Sequence, residues 1–223
     1  MRKLQAIIFD MDGVLIDSEP IHYEVENRIY DLLGIEVTDE IHLNYLGTSN
    51  DFMYSDLKSR FNLAASVDEL IKFDDDYRCE YLKNLEVVDL NNGVLDLLIE
   101  LKAEGLKLAV ATSSSPDIAN VLLERCGIKS FFDIIVTTSD AGKSKPAPDV
   151  YLLAAERLGI IPEDCIVFED SPNGLSAAKS ADMYCIVIQN DKKLDNRLKL
   201  ADYRIGSFTE LTFEKLQSII QGK

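Results

Sequence analysis

The sequence has few basic residues for its number of acidic ones. Lysine and arginine total 23 against 39 aspartates and glutamates, so the formal net charge is -16 at pH 7. A surface of this sign repels the phosphates of nucleic acids and anionic membranes. The composition therefore predicts neither nucleic acid nor membrane as a partner, and an anionic substrate would need cations placed within its own site.

Paired cysteines and long apolar runs are also missing. The cysteines form no C-x-x-C pair, and most stand in apolar surroundings, which is typical of reduced thiols in a core. They are Cys79, Cys126, Cys165 and Cys185. The apolar run before the first aspartate has only four residues, too few for a signal peptide or a membrane span. We therefore expect a cytoplasmic protein. The sequence sets no oligomeric state and is compatible with a monomer.

No internal repeat, low-complexity tract or obvious linker divides the 223 residues. Hydrophobic residues make up 47% of the chain, enough for the core of one large domain or two small ones. From residue 93 onward, helical patterns alternate with short apolar strands. This alternation predicts the α/β class, with a Rossmann-like, doubly wound parallel sheet joined by right-handed crossovers.

Residues 18–88 interrupt the α/β pattern. They follow the first apolar strand, carry helix-like apolar spacing and contain no convincing strand. Because structureless loops beyond about 15 residues are uncommon in compact domains, we predict an all-helical insert with its own small core. The predicted division is a core domain of residues 1–17 and 89–223 and a helical domain of residues 18–88.

The apolar residues 6–9 predict a buried strand that ends in two carboxylates, Asp10 and Asp12, followed by Gly13. In extended backbone, residues i and i+2 point the same way, so both carboxylates can address one small volume. Close carboxylates repel each other, and a divalent cation is the natural group to join them. A capping aspartate followed by a turn explains the same residues equally well when they are taken alone.

Hydroxyl groups follow the next predicted strand. Thr112, Ser113 and Ser114 come directly after an apolar run and precede a predicted helix. Hydroxyls and free backbone N–H groups ahead of a helix can bind a phosphate group. The same residues are also typical of a helix N-cap with Pro116 in the first turn, and the two interpretations are compatible.

Charged side chains follow two further predicted strands. Lys145 precedes a proline, which disfavours the helical backbone conformation for the lysine. Its side chain can then point inward as a fixed positive charge. The alternative is a solvated lysine in a loop. Glu169 and Asp170 follow an apolar run, and hard divalent ions take such carboxylate oxygens, although Asp170 can also be a helix cap. Because the carboxyl ends of parallel strands meet at one edge, we expect these groups to converge.

The order of these motifs resembles that of the haloacid dehalogenase superfamily of phosphatases and phosphomutases. Asp-x-Asp-Gly, a threonine, Lys-Pro-x-Pro-Asp and Glu-Asp-Ser follow one another as in that family, and the resemblance covers essentially the whole chain. The insert resembles the helical cap placed between the family's first and second motifs, and the most similar branch is the β-phosphoglucomutase-like one. The resemblance implies a cap that closes, excludes bulk water and selects the substrate.

The resemblance also implies a phosphatase that acts on small phosphate monoesters, with sugar phosphates expected, through an aspartyl-phosphate. Asp10 is the implied nucleophile, and Asp12 is the implied general acid and base. Thr112 and Lys145 would balance charge on the transferring phosphoryl group. Mg²⁺ is the implied cofactor. Its implied ligands are Asp10, the backbone carbonyl of Asp12, Asp170, and Glu169 directly or through water.

Further residues are implied to bind substrate or phosphate. They are Gly13, His22, Asn50, Ser113 and Ser114, together with Thr112 and Lys145. His22 lies at the entry to the insert, in a run shared by many phosphatases of this branch. It is a hinge or active-site residue in one interpretation and a structural residue in the other.

A phosphomutase is the alternative function of the same site. β-Phosphoglucomutases carry a cap arginine shortly after a glycine and a lysine just past the second motif, both contacting the far phosphate. Here the glycine is Gly47, but the two cation positions read Asn50 and Ser115. This departure favours phosphatase over mutase, although Arg60 and Lys72 could compensate from elsewhere in the cap.

Two other classes of protein are alternatives for this sequence. A signalling receiver domain also uses a strand-end aspartate, a hydroxyl and a lysine, but it lacks the second acid at Asp12 and the long insert. An interaction module without catalysis would not require all four motifs to be intact. Both classes explain the sequence less well than a phosphoryl-transfer enzyme.

Overall fold

The computed structural model of the protein describes residues 3–45, 48–189 and 196–222. The chain forms two compact units, Met1–Ser18 with Val87–Lys223, and Glu19–Glu86. We call the first the core unit and the second the helical unit. The role of the helical unit as a cap stays a prediction, and Gly47 lies outside the described residues.

The core unit contains a six-stranded sheet in the order β3-β2-β1-β4-β5-β6. The strands are β1 (Ala6–Phe9), β2 (Lys107–Thr112), β3 (Ile134–Thr137), β4 (Cys165–Glu169), β5 (Tyr184–Ile188) and β6 (Tyr203–Ile205). Every pairing is parallel, so the predicted α/β class and doubly wound sheet are confirmed. The central strands β1 and β4 are buried throughout, as expected for a parallel sheet covered on both faces.

The helical unit consists, in its described residues, of four α-helices. They are α1 (Glu19–Leu33), α2 (Asp39–His42), α3 (Asn50–Phe61) and α4 (Val67–Asn84). A small core of its own includes the fully buried Tyr54 and Leu57, and the predicted all-helical insert is confirmed. Apolar spacing predicts α1, α3 and α4. Helix α2 has only four residues, too few for a periodic pattern to be recognised.

The core unit also contains helices that connect its strands. The α-helices are α5 (Val94–Ala103), α6 (Pro116–Arg125), α7 (Thr138–Ala141), α8 (Asp149–Leu158), α9 (Pro172–Ser180) and α10 (Phe213–Ile220). The part of the chain that the structure describes also has four 3₁₀ turns, Lys129–Phe131, Pro162–Asp164, Asn196–Leu198 and Phe208–Glu210. The sequence predicts one final helix over residues 210–220. Helix α10 instead begins at Phe213, because Thr212 is extended and its side chain accepts the N–H of Lys215.

The strand order determines where a ligand site can form. The chain runs from β1 outward to β2 and β3 on one side, and later through β4, β5 and β6 on the other. Ligands of open α/β sheets bind at the carboxyl ends of the strands where the order reverses, here β1 and β4. In the register of these strands, Phe9 pairs with Phe168, so the residues that follow them are neighbours.

All four cysteines are free thiols, of which Cys165 and Cys185 are buried and the other two are partly exposed. Burial raises the pKa of the Cys126 thiol to about 11 and that of Cys165 to about 12. These thiols are therefore protonated near neutral pH. In the described part of the chain, every helix is too short or too polar to span a membrane.

Candidate active site

The two central strands place Asp10 and Glu169 side by side. Asp10 directly follows β1, and its N–H donates to the carbonyl oxygen of Phe168 at 3.0 Å. Glu169 is the last residue of β4 and is completely buried, and Asp10 is only 8% exposed. Two carboxylates removed from water in this way require a nearby positive charge.

Lys145 supplies that charge. Its ammonium group donates to Asp10 Oδ1 and Glu169 Oε1, both at 2.7 Å, and to the carbonyl oxygen of Ala111 at 3.2 Å. The side chain is only 6% exposed. Burial disfavours the charged form, but the two carboxylates outweigh it and raise the pKa of Lys145 above its usual value. Lys145 is therefore a buried cation and not a solvated loop lysine.

Glu169 is held by donors on both carboxylate oxygens. Tyr151 donates its hydroxyl to Oε1 at 2.5 Å, while Oε2 accepts the backbone N–H of Ser171 at 3.1 Å and its hydroxyl at 3.0 Å. Burial raises the pKa of Glu169, but Lys145, then Tyr151 and the Ser171 N–H, outweigh burial and hold the pKa below its usual value. Glu169 is therefore ionised at neutral pH.

Asp10, Glu169 and Asp170 form a group of acids that fits a divalent cation. One carboxylate oxygen from each lies within 4.8 Å of the other two. Burial raises the pKa of Asp10 to about 7 and that of Asp170 to about 8, with further increases from the neighbouring carboxylates. With all three acids ionised, the site would carry more negative charge than Lys145 alone can balance. Carboxylate oxygens alone are the donor set of hard divalent ions such as Mg²⁺ and Ca²⁺.

The Asp12 carboxylate has a different environment from these three acids. It is partly exposed, and its Oδ2 accepts the hydroxyl of Ser114 at 2.7 Å. The metal contact predicted for Asp12 runs through its backbone carbonyl, so this hydrogen bond is compatible with it. The role of the Asp12 side chain in proton transfer stays a prediction.

Two glycines allow the backbone to approach the acids. Gly13 has φ +74°, and a Cβ atom there would lie 2.0 Å from Asp170 Oδ2. At Gly174 in α9 a Cβ atom would lie 1.7 Å from Glu169 Oε1. A side chain at either position would displace a carboxylate. Gly13 is predicted to bind substrate; what the structure describes is its approach to Asp170.

The hydroxyl motif lies at the same edge of the sheet, at the end of β2. Thr112 is 1% exposed, and its Oγ1 accepts the N–H of Ser114 at 3.0 Å, whereas Ser113 is exposed. Ser115 is the N-cap of α6 and Pro116 is its first residue. The capping interpretation therefore describes Ser115 and Pro116. The binding of a phosphate group by Thr112, Ser113 and Ser114 stays a prediction.

His22 and Asn50 belong to the helical unit. His22 Nδ1 lies 2.8 Å from a guanidinium nitrogen of Arg78, and Arg78 is paired with the buried Asp74 at 2.9 Å. Asn50 is exposed and is the first residue of α3, directly after the N-cap Ser49. The roles of His22 and Asn50 in substrate binding stay predictions.

Sequence reasoning missed Tyr151 and Gly174. Helical periodicity places Tyr151 on the buried face of α8, where a tyrosine is indistinguishable from any other core residue. Only its partner Glu169, from another element, gives the hydroxyl a role. Gly174 follows Ser171-Pro-Asn in the fourth motif, and a glycine inside a predicted helix is the one signal that a close approach occurs there.

The protein has a Rossmann-like fold with a candidate metal site. Its parallel sheet carries acids and a buried lysine at the carboxyl ends of the strands. Residues 7–188 match the family described as haloacid dehalogenase-like hydrolase. The chain belongs to this family of enzymes, as its motifs predict.

Relatives and solved structures agree with this membership. The chain is 34% identical over 178 residues to "Phosphorylated carbohydrates phosphatase" of Thermotoga maritima, covering 80% of this chain and 82% of that one. It is 33% identical over 220 residues to "Hexitol phosphatase B" of Escherichia coli K12, covering 96% and 97%. A crystal structure of β-phosphoglucomutase from Clostridium difficile matches with a TM-score of 0.81 and 25% identity, covering 98% of both chains.

Proposed function

We propose that this hydrolase is a Mg²⁺-dependent phosphatase that acts on small phosphate monoesters, with sugar phosphates as the substrate class. The observation that carries the proposal is the shared hydrogen bonding of Lys145 with Asp10 and Glu169 beside a third acid, Asp170. The Asp10 carboxylate, at the end of β1, thus lies next to the fixed positive charge of Lys145. The names of the phosphatase relatives support sugar phosphates as substrates.

In the first half-reaction, an Asp10 oxygen attacks phosphorus and the bond from phosphorus to the leaving oxygen breaks. A carboxylate carries no proton to remove, so no base is needed for this step. Asp12 donates a proton to the leaving oxygen, and Lys145 and Thr112 stabilise the negative phosphoryl oxygens. The product is an aspartyl-phosphate on Asp10 and a free alcohol.

In the second half-reaction, water attacks the phosphorus of the aspartyl-phosphate. Asp12 now removes a proton from the water, and the bond from phosphorus to Asp10 breaks to release inorganic phosphate. The hydrogen bond from Ser114 holds the Asp12 carboxylate in both steps. Asp10, Glu169 and Asp170, with the carbonyl oxygen of Asp12, would hold Mg²⁺, which when bound supplies positive charge to the acids and the phosphoryl group.

The nucleophile is tested with Asp10→Asn and p-nitrophenyl phosphate in Mg²⁺. An amide oxygen is a poor nucleophile, so we expect turnover to fall by about three orders of magnitude or more. Asp96→Asn, at an exposed position of α5, removes the same charge elsewhere and should keep full activity. Wild-type rates in Asp10→Asn would exclude the aspartyl-phosphate. A screen of phosphorylated sugars with detection of released phosphate then identifies the substrate.

A mutase remains the second candidate because the β-phosphoglucomutase of C. difficile shares the fold over almost its full length. Its second phosphate would need cations. Arg60 is paired with Asp56 at 3.1 Å and Lys72 with Asp76 at 2.8 Å, each on its own helix. Because Arg60 and Lys72 are already paired with aspartates, neither is well supported as a replacement for the cations missing at Asn50 and Ser115.

The two functions give different products from the same mixture. Incubation with β-glucose 1-phosphate and a trace of its bisphosphate should release free phosphate if the protein is a phosphatase. Accumulation of glucose 6-phosphate without free phosphate would instead assign the mutase.

A further inference from the structure

Asn91 binds the turn that follows the catalytic aspartates. Its side-chain Nδ2 donates to the carbonyl oxygens of Gly13 and Val14, both at 2.8 Å. Its backbone N–H donates to the carbonyl oxygen of Leu15 at 3.0 Å. One residue, 78 positions further along the chain, thus contacts three consecutive carbonyls of this turn.

The turn's own hydrogen bonds do not use these carbonyls. The N–H of Gly13 donates to Ile16 at 2.9 Å, and the N–H groups of Leu15 and Ile16 both donate to the carbonyl of Met11. The Gly13 and Val14 carbonyls point to Asn91 instead. Val14 and Leu15 are fully buried and Gly13 is partly buried, so an unpaired carbonyl here would be costly. The side-chain amide of Asn91 therefore completes the hydrogen bonding of the turn.

The turn positions the groups on which catalysis depends. Asp12 precedes Gly13 and forms a bridge with Ile16, so its backbone direction is set by the turn. Gly13 has a positive φ and approaches Asp170. We infer that Asn91 is a positioning residue for the general acid Asp12, acting through the Gly13 and Val14 carbonyls. This inference rests on the proposed function.

An asparagine is specifically suited to this contact. Its two amide hydrogens can serve two carbonyls, whereas an aspartate carboxylate would face both carbonyls with no proton to donate. Asn91 is partly exposed and lines a cavity of about 370 Å³ together with Asp17, Asp89 and Ser207. A substituted side chain can therefore be accommodated without overpacking the core.

The test compares two substrates that share a ring but differ in leaving group. Phenolate is a more basic leaving group than p-nitrophenolate, so phenyl phosphate depends more on protonation by Asp12. We expect Asn91→Asp to lower kcat/KM for phenyl phosphate about tenfold more than for p-nitrophenyl phosphate. The parameter kcat/KM is used because it reports the steps through the first phosphoryl transfer. Asn92→Asp adds the same charge at the adjacent exposed residue and should leave both values unchanged.

Reference variants separate this inference from the proposed function. Asp12→Asn should show the same dependence on leaving group, only larger. If Asp12→Asn lacks it, the role of Asp12 is wrong and the inference is overturned with it. If Asp12→Asn shows this dependence, but Asn91→Asp lowers kcat/KM equally for both substrates or for neither, only the inference is overturned.

A second variant keeps the test valid where Asn91→Asp does not fold, as judged by circular dichroism. Asn91→Gln retains the amide with one more methylene, and it should restore much of the phenyl phosphate activity relative to Asn91→Ala. Equal activity of the Gln and Ala variants with phenyl phosphate would contradict a role for the donated hydrogen bonds.

Discussion

Ser114 donates its hydroxyl to Asp12 Oδ2 at 2.7 Å, across 102 positions of the sequence. Asp12, the proposed general acid and base, lies just beyond β1, and Ser114 belongs to the hydroxyl motif at the end of β2. The contact therefore joins the two motifs. The N–H of Ser114 in turn donates to Thr112 Oγ1 at 3.0 Å, so the serine is itself held in place. The two motifs therefore act as one structure at the edge of the sheet.

The first prediction concerns this hydrogen bond. We expect Ser114→Ala to lower kcat/KM for p-nitrophenyl phosphate about tenfold to a hundredfold, because a hydrogen bond to a charged group is worth about 1.5–3 kcal/mol. Ser130→Ala removes an exposed hydroxyl in the 3₁₀ turn Lys129–Phe131, outside the candidate site, and is the control. Equal losses in the two variants would mean that the contact with Asp12 has no special part in catalysis.

The second prediction concerns Tyr151. Tyr151→Phe removes the hydroxyl that donates to Glu169 Oε1 and leaves a buried carboxylate with one donor fewer. We expect the free energy of unfolding in urea to fall by about 1–3 kcal/mol. Tyr184→Phe removes an exposed hydroxyl that donates at 3.3 Å to a backbone carbonyl, and it should change stability little. A Tyr151→Phe protein as stable as the wild type would be unexpected.

The third prediction concerns the acid group. A cation that binds only the folded protein stabilises it, by about 2.7 kcal/mol at a concentration 100 times its Kd. We expect Mg²⁺ to raise the wild type's free energy of unfolding and Asp170→Asn to lose most of that gain, with weaker Mg²⁺ binding by calorimetry. Asp182→Asn, at an exposed left-handed position that asparagine tolerates, is the control. An unchanged response to Mg²⁺ in Asp170→Asn would remove Asp170 from the metal site.

The fourth prediction uses Asp133, which precedes β3 and joins it to β2. Its Oδ2 accepts the N–H of Leu108 at 2.9 Å and lies 3.1 Å from Lys102 Nζ. Burial opposes the charge, but these contacts outweigh it and hold the pKa of Asp133 below its usual value. A lowered folded-state pKa contributes stability above pH 4, and that contribution is lost as the pH falls through the folded-state value.

Asp133→Asn should therefore be less stable than the wild type by about 1 kcal/mol near pH 7, a value kept small because the group is partly exposed. The difference should disappear in strong acid, where Asp133 is protonated in both folded and unfolded protein. Urea unfolding across the pH range measures it, with Asp96→Asn as the surface control. A difference that persists at the lowest pH would point to packing and not to charge.

The sequence alone determined the sheet and the residues at its edge. Short runs of three to six mostly apolar residues predict the strands, and the polar residues at the ends of β1, β2 and β4 are local features of the chain. Once the strands are parallel, their carboxyl ends must meet at one edge. The sequence alone therefore predicts that Asp10, Lys145 and Glu169 converge. The short helices α2 and α7 were missed because four residues carry no periodicity.

Only the tertiary structure decided which groups hold these residues in place. Tyr151 contacts Glu169 across 18 positions, and Asn91 contacts Gly13 across 78. In the sequence, Tyr151 is a core residue of a helix, and Asn91 is a polar residue before another helix. A hydrogen bond depends on distance and direction between atoms from separate elements, and those are set by packing after the chain has folded. The local pattern therefore predicts the acids and the lysine, while their supporting contacts come from the packed core.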